Sequence, residues 1–186
     1  MTDTDSSIDE SAFPRPLTDT EKRIVTAGRA DERETLEAFL DDQRAAVIGR
    51  ASGVSESDAR RRLVPSKTTL AGMLKHLAIV ERNWFQHHLL GRDKAELGID
   101  FELPEEDPSW DLTDDDTLPA LVADYERACA ESRAAAADLP LEQSFVEPRI
   151  GELSLRWIYV HMIEETARHA GHADIIREQI DGTSGF

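Results

Sequence analysis

Apolar residues recur at helical spacing along four separated stretches of the chain. Toward the C-terminus, Leu155, Ile158, Met162, Ala173, Ile176 and Ile180 fall on one stripe at about 100° per residue, which predicts a helix from about Ser154 to Ile180 ended by Gly182. Leu70, Met73, Leu74, Leu77, Val80 and Trp84 predict another from about Ser66 to Leu90. Leu118, Leu121, Val122, Tyr125 and Leu139 predict a third from about Thr117 to Asp138. The first of the four starts near Asp31, where Asp31 and Glu34 resemble a capping box, carries Leu36, Phe39, Leu40, Val47 and Ile48, and stops at Gly53. Ser55 caps a short helical turn after it, and Pro65 breaks the chain.

Between the second and third long helices, "GRDKAELGIDFELPEEDPSWDLTDDD" shows no sustained period and holds two prolines, as a crossover between distant helices would. "PLEQSFVEPRIGEL" is expected to be a plain connection into the last helix. Residues 1–16 read as a polar, proline-punctuated arm ("SAFPRP") and residues 17–186 as one domain. The expected fold is all-α: a four-helix bundle with a long crossover between the second and third long helices.

The last stripe contains an anomaly. Glu165 and His169 lie in its middle, four residues apart and so one turn above each other. Burying an unpaired carboxylate or imidazole is costly, and a divalent cation between them would satisfy both. A third ligand must come from another helix, and His76, at the edge of the second helix's stripe, is the best candidate. Two His and one carboxylate suit Zn first, with Ni, Fe or Mn as alternatives, and leave coordination positions open. The alternative is a Glu–His hydrogen-bonded pair in the core.

Charge narrows the partners. Acidic residues outnumber basic ones 38 to 21, for a formal net charge of −17, so binding to nucleic acid or to an anionic membrane is not expected. A small-molecule substrate fits better. One cysteine, Cys129, allows neither an internal disulfide nor a multi-Cys zinc site, and it reads as a small core residue. No apolar run is long enough to span a bilayer, and "MTDTDSSIDE" is the reverse of a signal peptide, so a cytoplasmic protein is expected. An apolar strip left on the first or third helix would make it a homodimer.

Other residues have plainer readings. His87 and His88 are assigned a structural role at a helix end, and the run Arg60–Arg62 a solvated face. Asp114–Asp116 favours the positive end of the third helix. Trp84, Trp110 and Trp157 are read as packing residues, Trp110 being the one that could line a pocket. Gly171, costly inside a helix, is expected to mark the close approach of a neighbouring helix or ligand.

The segments "KHLAIVERNWF" and "WIYVHMIEETARHAGHADIIREQIDG" resemble the DinB-like metalloprotein superfamily, most closely its actinobacterial branch, over about residue 30 to Gly182. That family has a His on its second helix and HxxxH on its fourth. Here Glu165 replaces the first His of that pair, as in the mycothiol-dependent maleylpyruvate isomerase branch. The resemblance implies metal ligands His76, Glu165 and His169, with His172 and His161 as catalytic proton relays or substrate contacts. It also implies a metal-dependent transferase or isomerase that uses a low-molecular-weight thiol such as mycothiol on a small electrophile. A non-catalytic metal-binding bundle, or a hydrolase with a metal-bound water, is the alternative. The isomerase's further C-terminal domain is not expected, since the chain ends at Phe186, so that reaction is not assigned.

Overall fold

Helices form where the apolar stripes fall. The computed structural model describes residues 11, 14–99 and 107–184. Most of the expected N-terminal arm, and positions 100–106 of the expected crossover, lie outside the described residues. Four long helical stretches are present: α2 (Glu32–Ala51), α4 (Leu70–Glu81), α5 (Leu118–Ala136) and α6 (Leu155–Asp181). Two shorter helices are α1 (Asp19–Ala27) and α3 (Glu56–Ala59). Pairing is strongest between α2 and α6 and between α4 and α5, with α4 also meeting α6. None of the described helices is long and apolar enough to cross a membrane.

Local chemistry sets the ends of these elements. Asp31 caps α2 by accepting from the Glu34 N–H, and Ser154 caps α6 by accepting from Trp157. Gly182 ends α6 at φ +76°, in the left-handed region that glycine enters freely. Helix α1 was not expected. Its capping box, Thr18 with Glu21, is complete, but its apolar content is thin.

Two departures from the expected layout bear on function. The connection before α6 is an antiparallel hairpin, β1 (Ser144–Glu147) with β2 (Gly151–Ser154), so the fold is mostly helical with a small two-stranded sheet. Helix α4 does not continue as α-helix to Leu90. From Arg82 to His88 it widens into a π-helical segment, closed by the Leu89 N–H on the Trp84 carbonyl at 3.1 Å.

The core is split into two apolar clusters. One gathers Val47, Met73, Leu74, Leu77, Tyr125, Ala173 and Ile176. The other gathers Leu40, Trp84, Phe85, Leu155, Ile158 and Met162. Polar residues occupy the stretches of helix between them: Arg44 on α2, Glu81 on α4, and Glu165 and His169 on α6.

Candidate metal centre

His76 projects from α4, and Glu165 and His169 from successive turns of α6. One ligand atom from each falls within 4.8 Å of the others. Both imidazoles turn Nε2 to the same oxygen: His76 lies 3.3 Å and His169 3.2 Å from Glu165 Oε1. Ligands bonded tetrahedrally to an ion at about 2.0–2.1 Å sit roughly 3.3 Å apart, so these separations suit an ion as well as they suit hydrogen bonds. His76 and His169 are buried, while Glu165 keeps partial access to solvent.

The end of the crossover orients His76. Asp107 caps a single turn, Pro108–Trp110, by accepting from the Ser109 N–H at 2.9 Å. That turn sets Ser109 Oγ 2.7 Å and an Asp107 carboxylate oxygen 3.4 Å from His76 Nδ1. Trp110 stacks on the His76 ring at 4.4 Å and reaches His169 at 5.2 Å. Gly72 lies under this turn: a Cβ there would just touch the Trp110 carbonyl at 3.4 Å and would crowd the capping Thr69 Oγ1 at 3.0 Å. With a carboxylate and a hydroxyl beside Nδ1, His76 has partners for a proton there; in its neutral form with that proton in place, Nε2 is free to ligate, and in its cationic form Nε2 donates to Glu165.

The titration of these groups follows from the same contacts. Hydrogen bonds from His169 and His76 hold Glu165 far below the usual carboxylate range, against the opposing effect of burial. Burial lowers the His76 pKa, but Asp107 and Glu165 outweigh it and the value lies above that of an ordinary histidine. Burial likewise raises Asp107, yet His76 and Ser109 bring it down to about 2. His169 Nδ1 is buried and has no hydrogen-bond partner among the described residues. The donor set therefore fits a divalent ion: an ionised carboxylate, two imidazoles and an oriented outer partner for one of them.

A cleft of about 520 Å³ opens beside His76, Asp107 and Ser109. It runs past Val80 and Asn83 to His87 and His88 on the π-helical segment, with the hairpin turn Glu147–Arg149 as a wall. Burial, with some help from His87, holds the His88 pKa down to about 4, so its imidazole is neutral in ordinary buffer. Sequence reasoning missed the facing of His87 and His88 because it assumed unbroken α-helical turns. It missed Asp107 and Ser109 as partners of His76 although "DPSW" carries a cap followed by proline, a readable helix-start signal.

The two expected relays lie elsewhere. His172 is exposed, edge-on to His169 at 5.7 Å. His161 stacks on Trp157 at 4.9 Å and meets Trp84 at 4.7 Å, and burial lowers its pKa. Neither lines the cleft among the described residues. Gly171 does not mark a close approach: a Cβ there would meet no atom within 4 Å. Arg60 is not only a solvated face, since it bonds the backbone carbonyls of Thr113 and Asp116 and so fastens the crossover to α3. Cys129 is buried, its thiol pushed up to about 12 chiefly by burial, and it is no nucleophile.

No curated protein matches the chain. The family model described as Mycothiol-S-transferase matches residues 35–182, from the first turn of α2 through α6, a span that includes His76, Glu165 and His169. The chain belongs to that DinB-like family.

Proposed function

We propose that α2, α4 with its π-helical extension, α5 and α6 form a DinB-like four-helix bundle around a divalent metal centre. The protein then transfers a low-molecular-weight thiol, mycothiol by family, onto a small electrophile. The single observation behind this reading is the convergence of two imidazole Nε2 atoms on one ionised carboxylate oxygen, with His76 Nδ1 anchored outside it. A divalent ion held by His76, Glu165 and His169 would act as a Lewis acid and lower the pKa of a thiol brought to it.

The protein's own groups do the rest. Ser109 and Asp107 fix the ring plane of His76, and Trp110 covers that ring and limits water on its outer side. His172, exposed and next to His169, is placed to pass the thiol's proton to solvent. His161, neutral and held between two indoles, serves as a polar contact beside Glu165 on the same helix. The cleft beside His76 takes the electrophile, its Val80 and Ile79 surface suiting an apolar body.

The test begins with elemental analysis of protein purified without a metal-affinity tag, beside His169→Ala. About one equivalent of zinc, nickel, iron or manganese in the wild type, lost in the variant, is expected. Metal-loaded protein should then consume mycothiol in the presence of an electrophile, and chelated protein should not. A wild type that holds no metal and unfolds identically with and without chelator would reduce Glu165 and the two histidines to a hydrogen-bonded core cluster.

A further inference from the structure

Thr166 Oγ1 and His169 Nδ1 are both buried, and neither has a hydrogen-bond partner among the described residues. They sit three residues apart on α6, beside the candidate metal centre. Thr166 is wholly buried and His169 nearly so. Residues three or four apart on a helix are neighbours, with Cβ atoms about 5–6 Å apart. Viewed down the axis of α6, Glu165 lies about 40° to one side of His169 and Thr166 about 60° to the other, each roughly one turn nearer the N-terminus. A helical side chain leans toward that end. The lean that brings His169 Nε2 to 3.2 Å from Glu165 Oε1 carries the ring over the turn that holds Thr166.

An ion changes what Nδ1 needs. With Nε2 given to the ion, the proton of a neutral imidazole stands on Nδ1, where it must find an acceptor. His76 has two neighbours for that proton, Ser109 Oγ at 2.7 Å and Asp107 at 3.4 Å. His169 has none among the described residues, and a buried N–H left unpaired is unfavourable. The Thr166 hydroxyl is shut away from solvent in the same layer of α6 and offers two acceptor lone pairs. Threonine in a helix divides between two χ1 wells, so rotation about one bond swings Oγ1 without moving the backbone.

We propose that Thr166 is the positioning residue of His169, its hydroxyl accepting the Nδ1 proton when an ion is held at Nε2. Its role matches that of Ser109 and Asp107 behind His76. This assignment rests on the metal centre proposed above and supplies the outer partner that one of its two imidazoles lacks. Each of two orphaned atoms then satisfies the other.

The experiment is a zinc titration of the full chain in competition with a chromophoric chelator, for wild type, Thr166→Val and Thr166→Ser. Valine keeps the shape of threonine without the hydroxyl, and serine keeps the hydroxyl. Thr166→Val is expected to bind zinc about ten- to a hundredfold more weakly, and Thr166→Ser to recover most of that loss. In chelator, Thr166→Val should melt at the same or a higher temperature than wild type, because it removes only an unpaired hydroxyl. Nitrogen-edited NMR of the zinc-loaded proteins should place the His169 Nδ1 proton downfield in wild type and Thr166→Ser, and upfield of that in Thr166→Val. Equal zinc affinity in wild type and Thr166→Val, a loss that serine does not recover, or a lower melting temperature of Thr166→Val in chelator would overturn the role of Thr166 and leave the metal centre standing. A wild type that binds no zinc would overturn the metal centre itself, and this bond with it.

Discussion

The Arg44–Glu81 pair and the His76–Glu165–His169 triad both place charge between the two apolar clusters, yet they end in opposite conditions. Glu81 is fully buried and receives Arg44 Nε at 2.8 Å and Nη2 at 2.7 Å, a bidentate fork that fills both carboxylate oxygens. Glu165 is partly exposed, receives two imidazoles on one oxygen, and leaves His169 Nδ1 without a described partner. Guanidinium brings only donors, so a carboxylate matched to it is closed to further chemistry. Imidazole can turn a lone pair inward, so a carboxylate matched to two of them keeps room for a cation. The same charge between the same clusters is closed in one place and open in the other, according to the base that faces it.

Breaking the closed pair should have the largest effect. Glu81→Ala removes the fork from the buried Arg44, leaving it Asp41 alone, and should cost about 3–5 kcal/mol in urea unfolding, with the m-value unchanged. Glu165→Ala in metal-free protein should cost much less, because its side chain is 17% exposed against 0% for Glu81. Equal costs would erase the distinction between the two sites. Next in size, Asp107→Asn removes the acceptor charge behind His76 and should weaken metal binding by about ten- to a hundredfold in competition with a chromophoric chelator. Its cost in metal-free protein should be small beside that of Glu81→Ala, since Asn keeps an oxygen to cap the Ser109 N–H. Smallest is Gly171→Ala. With open space around the position, it should stabilise the fold by about 0.5–1 kcal/mol in the same urea assay, without changing metal affinity.

These contrasts also separate what could be read from the chain from what could not. The long helices and the spacing of Glu165 and His169 follow from local period, and local period is written in sequence. His76 became a candidate because it sat beside an apolar stripe, and the fold brings it against α6. The glycine assigned a close approach was the wrong one: Gly171 faces open space, whereas Gly72 lies under Trp110, and only the path of the crossover decides between them. The hairpin escaped notice because its strands are four residues each and its turn is built by a side chain. Glu147 accepts from the N–H groups of Arg149 and Ile150, both at 2.8 Å, in place of the usual Asn-Gly signal. The guanidinium fork on Glu81 was equally hidden, since Arg44 and Glu81 lie on different helices and neither breaks its own helical pattern.

The π-helical segment amounts to a one-residue insertion retained within a helix. Residues before it keep the phase that aims His76 at α6, and residues after it are rotated into a new phase that presents His87 and His88 to the cleft. Deleting one residue between Arg82 and His88 would restore an α-helix and turn everything beyond by about 100°, carrying both imidazoles off the cleft wall while sparing the ligands. A lineage could in this way remodel what the cleft accepts by a single-codon gain or loss, without revising the metal centre beside it.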